Sequence, residues 1–150
     1  MKSVPVFNMK NEPLMPSYIW KVKKWIVKGL ATPFWKKGVF CVRMNVKVGE
    51  EKQEIALGID PGSKKEGFTV KSASATYINI QADAVDWVKK AVEARKNARR
   101  GRRYRKTPCR QPRFNKAKGG LAPSTKARWQ WKLRLLNYLM RLFPITHVIV

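Results

Sequence analysis

The order of apolar and polar positions predicts a succession of short elements. "VPVF" (4–7) has the apolar density of a short strand. "NMKNEPLMP" (8–16) reads as a loop, because its prolines and asparagines favour turns over a ladder. Ser17 is placed to cap a helix over 18–28, with Ile19, Val22, Trp25 and Ile26 as its apolar face. Lys21, Lys23, Lys24 and Lys28 fall outside that face, and Gly29 is a stop signal. "GVFCVRMNVKV" (38–48) predicts a valine-rich strand. Residues 1–48 thus read as a small β-loop-α-β unit, followed by the polar turn "GEEKQE" (49–54).

"IALGID" (55–60) is a nearly continuous apolar run ending in an acid, the pattern of a buried central strand. "PGSKKEG" predicts a tight turn, and "FTVKS" and "TYINIQA" alternate, so 55–82 reads as a three-strand meander. Asp83 is placed to cap a long helix over 84–106, with Val85, Val88, Ala91 and Val92 striping its first half. Pro108 and Pro112 exclude helix from "TPCRQPRFNKAKGG" (107–120). Ser124 is placed to cap a last helix in which Trp129, Leu133, Leu136, Met140 and Phe143 recur at helical spacing, ended by Pro144. "ITHVIV" (145–150) reads as a second buried strand, with His147, the only histidine, expected to pack in the core and not to bind a ligand.

Charge changes the picture. Lys and Arg number 33 against 9 acids, a net charge of +24, which calls for a polyanionic partner to relieve self-repulsion. Nucleic acid is the leading candidate. A membrane surface is the weaker candidate, and no membrane partner is expected, since no strongly amphipathic helix carries the charge and no apolar run approaches the ~20 residues of a span. The N-terminus has no apolar signal core. Cys41 and Cys109 lack CxxC partners, so reduced thiols in a cytoplasmic, or organellar stroma or matrix, compartment are expected, and no zinc site. Nothing in the sequence points to a small-molecule substrate.

The charge is densest in "RKNARRGRRYRKTPCRQPRF" (95–114), which has no acid. Arg95, Arg99, Arg102, Arg103 and Lys106 are expected to share one helical face, flanked by Arg100 and Arg105. A solvated face would mix signs to gain i,i+4 pairs, yet Glu93 is the only acid between Trp87 and Gly120. Guanidinium groups bridge phosphate oxygens, which ammonium groups do less well. Tyr104 and Phe114 are available to stack unpaired bases, and Arg110 and Arg113 extend the basic surface. Such contacts position a nucleic acid but carry little sequence information.

Asp60 stands at the end of the buried strand in "GIDPGS". Three roles fit: a structural cap of the turn, a phosphate-loop Asp of an actin-like or sugar-kinase ATPase, and a Mg²⁺ ligand of a ribonuclease H-like nuclease. The ATPase reading lacks a second Gly-rich phosphate loop. The nuclease reading gains from the basic run, although Glu66, Asp83 and Asp86, the other acids at hand, fall on a turn and a helix start.

Taken in order, "PLMP", "GIDPGSKKEGFTV", "RRGRR", "YRKTPCRQPRFN" and "RLFPITHVIV" resemble the N-terminal part of the IscB family of RNA-guided DNA endonucleases, which carry the RRXRR domain. The resemblance covers nearly all of the chain. It implies a PLMP-like RNA-contacting unit over 1–48, first RuvC-like strands over 54–82, an Arg-rich bridge helix and basic loop over 83–120, and a helix with a following core strand over 121–150. The implied fold is α/β: a small β-α-β unit, then an incomplete ribonuclease H-like (RuvC-type) mixed sheet with one long Arg-rich helix. "ITHVIV" would pair in parallel beside "IALGID". Asp60 would be the first catalytic, metal-binding carboxylate, with Mg²⁺ bound only where the site is completed. The helix through Arg95–Lys106 would cradle a guide RNA, or its heteroduplex with target DNA, by backbone contacts. In the family a second carboxylate, further ligands and an HNH nuclease follow later in the chain, so residues 1–150 are expected to hold RNA and not to cleave alone, whether as a fragment or as a stand-alone protein. The alternative is a non-catalytic basic RNA-binding protein of a ribonucleoprotein particle such as a ribosome.

Overall fold

A computed structural model of the chain describes residues 3–49, 51–108 and 120–150. It is a mixed α/β structure with two small mixed sheets and three helices among the described residues. Two compact units divide it: residues 1–83 with 134–150, and residues 84–133.

The first sheet is built from β1 (Ser3–Phe7), β2 (Pro13–Tyr18), β3 (Ala31–Lys36) and β4 (Val39–Met44) in the order β2-β1-β4-β3. The stretch expected as a loop, 8–16, therefore contains most of a strand, and a further strand, β3, lies where none is expected. Both carry prolines and both are edges. Pro16 sits where the β1–β2 register slips, between Val4↔Ser17 and Val6↔Leu14, and Pro33 lies in the other edge strand. An edge strand has one side without a ladder, and a bulge frees its residue from pairing, so neither proline removes a needed bond.

Helix α1 (Ile19–Val27) crosses one face of this sheet. Its N-cap is Tyr18, without a side-chain cap, and not Ser17, which is consumed by β2 pairing opposite Val4. Val22 is fully buried, with Trp25 and Ile26 packed against Val4, Val6, Leu14, Ala31, Val42 and Met44. Burying one such valine contributes roughly 1.5–3 kcal/mol. Ile19, expected on that face, is partly exposed. The helix ends in a Schellman turn: Gly29 at φ +69 donates its N–H to Ile26 O, and Leu30 N–H reaches Trp25 O at 2.9 Å.

The second sheet has the order β7-β6-β5-β8, from β5 (Ile55–Asp60), β6 (Lys65–Ser72), β7 (Thr76–Asp83) and β8 (His147–Ile149). The meander of 55–82 is present, and β8 lies parallel to β5 with Ala56↔His147, Leu57↔Val148 and Gly58↔Ile149 in register. Ile55, Leu57, Phe68 and Val70 are buried on one face. β8 is not the buried strand its composition predicts. It is the sheet's edge, with Val148 and Ile149 exposed, and His147 is exposed with Nδ1 2.9 Å from Thr146 Oγ1.

Helix α2 (Trp87–Tyr104) starts at the N-cap Asp86, because Asp83 is the last residue of β7. Helix α3 (Pro123–Met140) exposes Trp129, Leu133 and Met140, which the helical spacing suggests as its apolar face. Its buried positions are Leu139 and, past its end, Leu142 and Phe143. The end of α3 is tied to the first sheet, as Lys36 Nζ donates to Arg141 O (3.1 Å) and Tyr138 OH to Lys37 O (3.3 Å). Among the described residues no helix is long and apolar enough to cross a membrane.

Candidate nucleic-acid interface and the Asp60 strand end

Val88, Ala91, Arg95, Arg99 and Arg102 step along α2 by three or four residues, so they form one continuous row. The row begins apolar, with Val88 buried, and becomes wholly cationic. Arg95, Arg99, Arg100 and Arg103 are exposed and Arg102 is half-buried. Among the described residues none of these five guanidinium groups has a hydrogen-bond or ion-pair partner within the chain. That leaves their donors to solvent or to a ligand, and a row of unneutralised guanidiniums is a strong phosphate surface.

Lys106, expected on this face, leaves it, and Tyr104 and Arg105 do not join the row. Tyr104 is 90% exposed but follows Arg95 by nine residues, about two and a half turns, so it projects from the opposite side, near Arg100. Arg105 is the C-cap, and Lys106 lies beyond the helix at φ +51. Lys106 N–H reaches Arg103 O and Thr107 N–H reaches Arg102 O, a second Schellman turn with lysine in the left-handed position. The helix therefore stops before Lys106 joins the face. Arg110, Arg113 and Phe114 lie outside the described residues, as does Cys109.

Asp60 is exposed at the end of β5 and pairs across the ladder with Gly67. Two glycines shape its surroundings. A Cβ on Gly62 would sit 1.7 Å from Lys65 O, so the β5–β6 turn closes only over a glycine. A Cβ on Gly67 would stand 3.4 Å from Asp60 Cβ and 3.9 Å from its Oδ2, so the missing side chain leaves one flank of the carboxylate open. Strand alternation puts Asp60 on the same face as Gly58, Thr69, Asn79 and Gln81, the polar side of the sheet.

The other acids do not converge on it. Glu66 is next to Gly67 and so points to the opposite, buried face. Asp83 pairs with Lys65 on the face of Asp60 but two strands away, roughly 10 Å at a spacing of about 4.8 Å per strand. Asp86 is the α2 N-cap. Among the described residues no three His, Cys, Asp or Glu side chains could hold one metal ion. A two-metal site needs several carboxylates around ions about 4 Å apart, so Asp60 supplies one ligand and this set does not complete the group.

Sequence reasoning overlooked a second aromatic and basic surface, on α1. Lys21 Nζ stands 5.8 Å from the Trp25 ring centroid and Lys24 Nζ 5.4 Å from that of Trp20. The signal was available as two i,i+4 spacings of Lys and Trp, hidden by treating those lysines only as the solvent side of an amphipathic helix.

The family model for RRXRR proteins matches residues 4–150. The chain belongs to the RRXRR family. The match spans both sheets and the Arg row, and it is the domain found in IscB-like proteins, which associates the chain with RNA-guided nucleases and with nucleic acid. No curated protein matches the chain.

Proposed function

We propose that this chain is the guide-RNA-holding N-terminal portion of an IscB-like RNA-guided DNA endonuclease. The observation that carries the reading is the Arg95–Arg99–Arg102 row of α2, extended by Arg100 and Arg103, without an ion-pair partner among the described residues and part of an RRXRR match. In this reading α2 is the bridge helix. It holds the sugar-phosphate backbone of a guide or of its heteroduplex with target DNA, while base pairing reads sequence. Residues 1–48 are the PLMP-like unit, and the β5-β6-β7 meander with β8 is the opening of a RuvC-type sheet.

Asp60 is the first carboxylate of that nuclease centre. Its place at a strand end, on the polar face and flanked by Gly67, suits a ligand that must meet both an ion and a scissile phosphate. Mg²⁺ binding waits on carboxylates from outside the described set, so the chain alone binds RNA and does not cut.

The test is a salt titration of binding to structured RNA. Each phosphate contact contributes about 0.7–0.9 to the slope of log K against log salt. Arg99, Arg100, Arg102 and Arg103→Ala together are expected to flatten that slope and to weaken binding strongly. Asp60→Ala is expected to leave RNA affinity unchanged, and neither protein should nick DNA with Mg²⁺. A salt-independent affinity, or full affinity in the Arg variant, rejects the reading. Asp60-dependent nicking by the chain alone rejects the incomplete centre.

A further inference from the structure

Residues 13–49 contain no Asp or Glu, yet they carry Lys21, Lys23, Lys24, Lys28, Lys36, Lys37, Arg43 and Lys47. Within this acid-free stretch, large aromatic surfaces face solvent: Trp20 is 54% exposed and Trp35 71%. Both belong to the α1 side of the first sheet. Trp20 is on α1 itself. Trp35 pairs across the ladder with Phe40, which packs into the core beneath α1, and the two rings meet edge to face at 5.6 Å. On α1 the cations are already arranged over indoles, Lys24 above Trp20 and Lys21 above Trp25.

Covering the apolar face of an exposed indole releases free energy, so exposed rings grouped on one side of a sheet suit a partner that stacks on them. A partner for indoles that carry lysines beside them, in a stretch of sequence without acids, must combine a flat apolar face with negative charge. An unpaired nucleotide has both: its base stacks on the ring and its phosphate meets the lysine beside it. A duplex offers the phosphate but keeps its bases stacked on one another.

We propose that the α1 side of the first sheet is a second nucleic-acid surface, specific for single-stranded nucleotides, with Trp20 and Trp35 as stacking rings and Lys21 and Lys24 as phosphate contacts. It rests on the function proposed above, in which residues 1–48 are an RNA-contacting unit, and adds which strands that unit takes and which rings and lysines take them. It divides the labour: α2 grips backbone whatever its pairing, whereas α1 selects strands whose bases are free.

The experiment uses the full chain, a fluorescent 12-nucleotide oligouridine and a hairpin duplex, read by anisotropy at fixed salt. Trp20→Ala and Trp35→Ala are each expected to weaken oligouridine binding about tenfold and to leave duplex binding within twofold, since stacking on one ring is worth on the order of one factor of ten. Trp20→Phe should restore most of the loss, which a folding defect would not allow, and circular dichroism checks that each variant keeps its fold. Lys24→Ala should lower the salt slope for oligouridine by about 0.7, while Trp20→Ala leaves it unchanged. Repeating the series with the α2 arginines replaced separates the two surfaces: full duplex binding with the Trp20 effect intact rejects the α2 reading alone. Equal losses for both ligands, no loss for either, or no oligouridine binding at all overturns the α1 proposal. So does a Trp20 effect confined to vesicles containing anionic phosphatidylglycerol, which would make the surface a membrane contact.

Discussion

The side chain of Thr146 is bonded to both backbone groups of Ile55. Ile55 N–H donates to Thr146 Oγ1 at 3.2 Å, the hydroxyl lies 3.0 Å from Ile55 O, and Thr146 N–H reaches the same carbonyl at 2.9 Å. Ile55 is fully buried, so its amide has no water to fall back on. This clamp stands one residue before β8 and fixes the register that lays Ala56 beside His147. The hydroxyl has one proton to give, so when it donates to Ile55 O the His147 ring must donate to it through Nδ1.

Thr146→Val keeps the shape and removes the oxygen. It leaves the Ile55 N–H unsatisfied in a buried place, a loss of about 1–3 kcal/mol. Thr146→Ser keeps the bond and should lose less than half as much. Urea unfolding of the three proteins checks this; equal midpoints for Val and Ser would mean that the hydroxyl does not hold β8 in place.

Gly62 and Gly67 both border Asp60 and should respond differently to alanine. At Gly62 the new Cβ would meet Lys65 O at 1.7 Å, backbone that can yield only if the β5–β6 turn opens. A cost of about 1–3 kcal/mol is expected, as for other overpacked sites. At Gly67 the nearest atom is Asp60 Cβ at 3.4 Å, an ordinary contact, so the fold should tolerate alanine with a far smaller change. Thermal melts of the two variants read the contrast directly.

What was legible in the sequence follows from which physical signals are local. The second sheet was readable because "IALGID" and its partners alternate or run apolar over lengths that only strands use, and Gly62 marks a turn that sterics enforce. Strands β2 and β3 were not, since Pro13, Pro16 and Pro33 argue against a ladder unless the strand is known to be an edge, and edges are a property of the whole sheet. Ser17 was a good cap by type but was claimed by a longer-range pairing with Val4. For β8 composition gave the strand but not its exposure, which depends on having β5 on one side only. The Arg row was legible from spacing alone. Its end was not, because Lys106 adopts a left-handed backbone that favours glycine.

Alkaline pH should weaken the fold through Cys41. Its thiol is fully buried, and that desolvation raises its pKa above the ordinary 9.0, with Lys36 drawing it partly back. Tyr138 is raised in the same direction, first by burial and then by the nearby Cys41 charge. The unfolded chain ionises its thiol first as pH rises through about 9, so the contribution is whole below that value and is lost as pH climbs toward the folded one. Melting temperatures from pH 7 to 10 should therefore fall more steeply for the natural chain than for Cys41→Val. Parallel curves would exclude the thiol as the cause.

The α2 row offers a sharper test than removal of charge. Arg95, Arg99, Arg102 and Arg103→Lys keeps every positive charge and the helix, since arginine and lysine have similar helix propensity. If the row acted as four point charges, affinity for structured RNA would not change. If it works by planar, two-pronged contacts to phosphate, the salt slope should stay constant while affinity drops at every salt concentration, on the order of tenfold for the four together. Slope and intercept thus report separate properties: the first counts charges and the second reads their geometry. A lysine variant that binds as tightly as the natural chain would reduce the row to a diffuse cationic field, and the choice of arginine along α2 would then have no explanation in phosphate recognition.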